Sequence, residues 1–246
     1  MTIPEVVIGF LIVTCASFTM SLTGFGFALV ATPLLLLLLH TKSVIFVNLL
    51  LSMFLSVFIL WQSRSDIELK RIAPFAAGGI LGLPLGAYIL LQITVPLLQL
   101  LVGVLVLIFA IPLALGREHH IEKKGFGGSI AGFASGTLQI STSLSGPPVV
   151  LFALSQGWSK ESFRANLVAY FLFLNCVTLP ILILTGITTS KSVMAALVYA
   201  PALIIGFYLG SKALNRVSAS LFRRIAIFIV IVAGMLSIGI GIQGGW

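Results

Sequence analysis

Hydroxyl, amide and glycine residues gather at two places in this 246-residue chain, and their types suit recognition of a small anion. The first place reads Thr19-Met20-Ser21-Leu22-Thr23-Gly24-Phe25-Gly26, followed by Ala31-Thr32-Pro33. The second runs from Gly132 to Pro148 and holds Thr137, Gln139, Ser141, Thr142, Ser143, Ser145 and Gly146. Glycine lets the backbone turn and come close to a ligand, and a Ser or Thr directly before Pro reads as a capped helix start. Each place is therefore expected to aim a helix N-terminus inward. Such an end presents free N–H groups and a partial positive charge, which suits an oxyanion without a fixed cation. The candidate binding residues are Thr23, Gly24, Phe25, Gly26 and Thr32 at the first place and Gln139, Ser141, Thr142, Ser143, Ser145 and Gly146 at the second. The competing reading is that small residues only let helices pack closely, their hydroxyls bonded to the preceding turn. That reading is preferred for an isolated Ser, and the binding reading for the paired, Pro-terminated clusters.

Three further polar residues join the candidates. Asn48 and Asn166 stand in equivalent positions after the two clusters, where an amide either donates to an anion or holds the free carbonyls of an interrupted helix. Arg164, close to Lys160 and Glu161, lies at the mouth of the second half. It is placed to draw an anion inward, although a cation snorkelling to the surface is the commoner role.

The elements that must position these residues are membrane helices. The chain is 59% hydrophobic and 8% charged, with a mean hydropathy of +1.19, too little polar surface for a soluble globule. Its apolar runs are continuous and of helical length rather than ten-residue alternations, so the fold expected is an all-α polytopic membrane protein. The runs are roughly 3–22, 25–39, 44–61, 72–91, 96–115, 130–140, 147–154, 167–184, 193–214 and 221–242. About 20 residues are needed to cross the hydrocarbon core. Segments 130–140 and 147–154 are therefore expected to be half-helices, and both polar clusters interrupt apolar stretches. Backbone left unpaired at such an interruption must face a protein-lined or wet cavity, which makes the interruptions the expected site.

Matches between the two halves occur in the same order. Thr32-Pro33 parallels Gly146-Pro147-Pro148, Val47-Asn48-Leu49 parallels Ala165-Asn166-Leu167, and Ala73-Pro74 parallels Ala200-Pro201. Gly82-Leu83-Pro84-Leu85-Gly86 parallels Gly206-Phe207-Tyr208-Leu209-Gly210. Residues 1–116 and 126–246 are thus expected to be two transmembrane repeats joined by a cytoplasmic linker at 117–125. Basic residues mark three cytoplasmic loops: Arg64, Lys70 and Arg71; Arg117, Lys123 and Lys124; and Lys212, Arg216, Arg223 and Arg224. Each half then has an odd number of crossings, whether its interrupted element is a re-entrant hairpin or two thin helices. The repeats are expected to be inverted, each with a broken first element and both termini outside.

Other residues carry less. Cys15 and Cys176 lack a metal or redox context and read as buried small hydrophobes. His119 and His120 sit in a charged loop with Glu118 and Glu122, where a solvated loop is a better reading than a metal site. The glycine pairs Gly82/Gly86 and Gly206/Gly210 read as close helix packing. Glu5, Asp66, Glu68, Glu118, Glu122 and Glu161 all fall near segment ends, so no buried carboxylate relay is visible. Glu5 stands where a cleavable signal peptide would carry basic residues, and the first helix is expected to stay.

Gly24-Phe25-Gly26 with Thr32-Pro33, and the run from Gly132 to Pro148 leading into Arg164-Ala165-Asn166, resemble the TauE/SafE family of membrane transporters, which includes proposed sulfite exporters. The resemblance covers nearly the whole chain. It implies movement of sulfite, an organosulfonate or a related sulfur-containing anion, with binding residues at both interruptions. The expected function is a secondary transporter of the plasma membrane, the inner membrane of a bacterium, working by alternating access. An anion channel is the alternative, and a membrane-embedded thiol-redox protein or enzyme the less favoured one. The expected partners are the anion, the lipid bilayer and H+ or Na+ as coupling ion, with a homo-oligomer open. Neither a cofactor, a metal nor nucleic acid is expected.

Overall fold

The computed structural model describes residues 3–39, 42–115 and 124–213, with positions 231, 235, 238, 239 and 242 beyond them. The described residues form helices α1 (Ile3–Thr23), α2 (Phe27–Leu39), α3 (Ser43–Ser63), α4 (Leu69–Gln92), α5 (Val95–Leu115), α6 (Lys124–Thr142), α7 (Gly146–Ser155), α8 (Lys160–Leu184) and α9 (Ser190–Ala213), with a 3₁₀ turn at Arg64–Asp66. No strand occurs among them, as the length of the apolar runs predicts. Five helices are long and apolar enough to cross a membrane: α1, α3 with its 3₁₀ turn, α4, α8 and α9. Apolar side chains fill the inside and also cover the outside, where Phe54, Trp61, Leu81 and Leu197 are exposed. Helices that are apolar all round belong in lipid. The loop carrying His119 and His120, most of the last apolar run and Arg216, Arg223 and Arg224 lie outside the described residues.

Glycines set the closest packing. Along α4 and α6 the neighbours advance together, Phe75 beside Gly132, Gly79 beside Gly136 and Gly86 beside Thr137, so the two helices run parallel. Along α1 and α9 the neighbours are Gly9 and Tyr199, Thr14 and Gly206, and Phe18 and Gly210, also parallel. A Cβ on Gly82, Gly86, Gly206 or Gly210 would lie inside contact distance of a carbonyl of the facing helix, so these positions hold backbones together. Side-chain bonds reinforce both pairs, with Thr137 donating to the Gly82 carbonyl at 3.2 Å and Ser17 to that of Leu203 at 2.7 Å.

Helices α3 and α8 run antiparallel through the middle. Ser43 donates to the Ile187 carbonyl, Asn175 to Ser52, and Asn166 to the Asp66 carbonyl, in opposite order along the two chains. These contacts give the molecule two ends, one at Ser43 and Ile187, the other at Asp66 and Asn166. Helix α1 starts at the first end and α2 returns to it. Helix α6 starts at the second end and α7 returns there, where Phe152 meets Phe75 edge-on at 5.7 Å. Each interrupted element is therefore a helical hairpin, and the hairpin tips enter the bundle from opposite ends.

Three expectations change. Segment 130–140 is not a half-helix: α6 spans 19 residues, because Gly127, Gly128, Gly132 and Gly136 extend it along a smooth seam against neighbouring side chains and α4. Only α7, at 10 residues, is short enough for that description in the second hairpin. Thr32-Pro33 does not start a helix either; Pro33 lies inside α2, which begins six residues earlier at Phe27. Glycine does the turning instead, with Gly24 at φ 82° and Gly26 at φ 93°. Third, Cys15 and Cys176 are exposed on the outward faces of α1 and α8 rather than buried. A thiol is apolar enough for a lipid-facing position, so burial is not forced on it.

Candidate functional site

The two hairpin tips meet at a cavity of about 40 Å³, room for a few waters or one small ion. From the first tip come Phe25, Gly26 and the opening turn of α2, Phe27, Ala28 and Leu29. The second tip supplies Ser143, Leu144, Ser145 and Gly146, and α6 adds Gln139. The far wall belongs to α3 and α8, with Leu49, Ser52, Phe171 and Asn175. Aromatic rings and small polar groups thus share one half-open space, the usual make-up of a binding pocket.

The polar wall is pre-ordered. Gln139 Nε2 donates to Asn175 Oδ1 at 2.5 Å, Asn175 Nδ2 donates to Ser52 Oγ at 3.1 Å, and Ser52 Oγ donates a hydrogen bond to the Leu49 carbonyl at 3.1 Å. Gln139 and Asn175 are each 1% exposed, so this chain fixes their amides with little rotameric freedom. Ser135 donates to the Ser145 carbonyl at 2.7 Å and receives a bond from Tyr170, which braces the second tip from behind.

The two helix starts differ in what they offer. In α2 the amides of Phe27, Ala28 and Leu29 precede the first helical bond, which runs from Val30 to the Gly26 carbonyl. All three residues line the cavity, so this end brings donors and partial positive charge to it. In α7 the first turn reads Gly146-Pro147-Pro148, and the two prolines have no N–H. Its contribution shrinks to the neighbourhood of Gly146 and Ser145. The expected pair of equivalent helix ends is in effect one strong end and one weak one.

Several candidate residues turn inward on their own helices. Thr23 donates to the Thr19 carbonyl and also bonds across the turn to Phe25; Ser141 donates to Thr137 and Thr142 to Leu138. These three hydroxyls bond to the preceding turn, as the packing reading holds. Thr32 is buried against Ser143 at 2.6 Å and takes a bond from Asn48 Nδ2 at 2.8 Å, which ties α2, α3 and the second tip together. Asn166 lies elsewhere. It accepts from the Glu68 N–H at 2.7 Å and donates to the Ser162 carbonyl, securing the turn before α4.

Arg164 is 7% exposed, so its guanidinium is inside the protein rather than snorkelling. Its Nε and Nη2 donate to the Ser21 carbonyl near the end of α1 at 3.1 and 2.8 Å. A cation at a helix C-terminus is favourable. Yet a carbonyl cancels no charge, and among the described residues the ion pair found is Arg71–Glu68, which bonds to Ser162 and Asn166 on α8 and not to this arginine. Gly24 packs on the Arg164 backbone, where a Cβ would come within 3.0 Å of its Cα. Phe25 beside it meets Phe163 edge-on at 6.2 Å. The first tip, whose Phe25 lines the cavity, therefore packs directly on the turn of α8 that carries the buried cation.

A family model described as sulfite exporter TauE/SafE matches residues 9–236. The chain belongs to that family. No curated protein and no solved structure gives a match to the chain. TauE/SafE is a transporter family, and the membrane-length helices, the hairpins and the cavity between their tips accord with that role. Four wall residues, Leu49, Ser52, Phe171 and Asn175, were not among the sequence candidates. Ser52 and Asn175 carried a weak signal, as polar residues inside otherwise apolar helices.

Proposed function

We propose that this TauE/SafE member is a secondary transporter of a small oxyanion, sulfite or an organosulfonate, held in the cavity between the hairpin tips. The observation that carries the reading is Arg164: a buried cation with no carboxylate partner among the described residues, on the turn of α8 against which the first tip packs. A buried uncompensated charge is costly, and an entering anion relieves that cost. The α2 amides, Gln139 and Ser145 then supply hydrogen bonds, and the neutral cavity binds loosely enough to release its occupant. Alternating access follows from inverted repeats rocking about the α3–α8 axis, with the α1–α9 and α4–α6 seams moving as units. Exchange of partners between the halves, the first hairpin on α9 and the second on α4, supports that scheme.

The test is uptake of radiolabelled sulfite into liposomes holding purified protein, with sulfate and an organosulfonate as competitors, under imposed pH or sodium gradients. Saturable, competed and gradient-driven flux is expected. Flux that never saturates would instead favour a channel, and none from folded protein would overturn the anion reading. The Cys15→Ser, Cys176→Ser double variant is expected to keep full flux, because both thiols face outward and away from the cavity; lost flux would revive thiol chemistry.

A further inference from the structure

We propose that a second cavity, where the start of α4 meets the α7–α8 connection, holds the phosphate headgroup of an anionic phospholipid. Its volume is about 490 Å³, against about 40 Å³ between the hairpin tips, and the two share no wall residue. A space of that size suits a ligand much larger than a sulfite ion. Its polar wall can be followed donor by donor. Arg71 Nε donates to Glu68 at 2.7 Å and Nη1 donates to Ser162 Oγ at 3.3 Å. A guanidinium carries five N–H groups, so three of those on Arg71 have no partner among the described residues. Its plane lies over the Trp158 ring, 5.1 Å from the centroid, which holds the group in place. Lys70 is exposed, and neither its ammonium nor the Trp158 indole N–H is bonded among the described residues. Glu68 is the one carboxylate on the wall, and its two oxygens already accept from Arg71 and Ser162. The wall therefore offers spare donors and one net positive charge.

The remaining wall is apolar, built from Pro74, Phe75 and Phe152. A ligand that satisfies both sides joins an anion with several acceptor oxygens to an apolar body. The position of the cavity identifies that amphiphile as a lipid. It lies at the end of the molecule where α4, α6 and α8 begin, the end that carries Arg64, Lys70 and Arg71. Leu69, next to Lys70, is 75% exposed, and Phe126, two residues before the wall residue Gly128, is 72% exposed. Apolar side chains so open belong against acyl chains, while Lys, Arg and Trp at the ends of crossing helices belong at headgroup level. Basic pockets between membrane helices are suited to headgroup phosphates. A phosphate here would bridge Lys70 and Arg71 on α4 to Trp158 just before α8, bracing the junction already tied by the bond from the Glu68 N–H to Asn166.

The lipid site does not rest on the anion-transport reading. To test it, purified protein in a neutral detergent is titrated with phosphatidylglycerol, phosphatidylcholine or soluble glycerol phosphate at one ionic strength. Thermal unfolding reports stabilisation, and native mass spectrometry counts the lipid retained. Phosphatidylglycerol is expected to give a saturable rise of about 5 °C with a single retained lipid, and the other two compounds no comparable rise. Lys70→Gln alters an exposed, unbonded side chain, so it should fold, with half-saturation moved about fivefold higher in phosphatidylglycerol. Lys70→Gln with Arg71→Gln removes the net positive charge and should abolish the saturable response; if that pair does not fold, Lys70→Glu takes its place. Equal stabilisation by both phospholipids would overturn the site, leaving only ordinary bilayer contact. A rise with glycerol phosphate as large as that with phosphatidylglycerol would overturn the lipid assignment in favour of a soluble phosphate. A response to phosphatidylglycerol unchanged in Lys70→Gln and in Lys70→Glu would place the lipid elsewhere on the protein and reject this cavity.

Discussion

The two hairpin tips perform the same turn with different chemistry. At the first, glycines at positions 24 and 26 take the positive φ angles, the α2 amides open towards the cavity, and Arg164 stands behind. At the second, Ser143 takes the positive φ, two prolines silence much of the α7 start, and hydroxyl and amide oxygens gather at the end of α6. One tip concentrates donors and positive charge, the other acceptors. The two tips thus present complementary surfaces to the space between them.

The sharpest way to break this comparison is to fill the space between the tips. A Cβ on Gly146 meets nothing closer than Phe171 at 3.9 Å, so the backbone tolerates a side chain, but leucine there occupies the cavity. Gly146→Leu is expected to fold and to lose sulfite flux by at least 100-fold, read as initial uptake per folded protein. At the first tip the same kind of change acts on the fold. Gly24→Val meets both the left-handed backbone and the Arg164 main chain, for a cost of roughly 2–5 kcal/mol from strain and overpacking. Little monodisperse protein should survive gel filtration, and a normal yield would show that the first tip is looser than its packing implies.

Smaller and more selective is removal of the charge. Arg164→Ala takes away a cation and a charged hydrogen bond worth about 1.5–3 kcal/mol, so flux should fall roughly 10- to 100-fold. Arg164→Lys keeps the charge but not the fork that grips Ser21, and is expected to recover part of the loss. Equal activity in all three proteins would mean that the arginine serves only as the end-cap of α1.

Much of this arrangement was legible beforehand because hydropathy and helix length are local properties. The apolar runs fixed the helix count along the described chain, and the Gly82/Gly86 and Gly206/Gly210 pairs pointed to seams that the structure contains. The polar clusters located both tips. What sequence could not provide was rotation about the helix axis. Thr23, Ser141 and Thr142 have the right chemistry but face their own backbones, whereas Ser52 and Asn175 meet across the α3–α8 contact, 123 residues apart in the chain. Nor does a Thr-Pro pair reveal that Gly26 has already started the helix; both patterns are valid helix starts, and the glycine φ angles decide between them.

The asparagine pair gives the finest test of divergence between the halves. Asn48 and Asn166, each following a polar cluster in the sequence, are equally buried, but Asn48 bonds to Thr32 and approaches Ser143 of the second tip while Asn166 grips the turn before α4. Asn166→Ala removes an acceptor from the Glu68 N–H and a donor to Ser162, with a cost of about 1–3 kcal/mol if the buried partners stay unmet. Its thermal midpoint should fall by several degrees, while the sulfite KM of the surviving folded protein stays at the wild-type value. A shifted KM with an unchanged midpoint would place Asn166 in the transport path, restore the symmetry between the two asparagines and undo the division of labour between the tips.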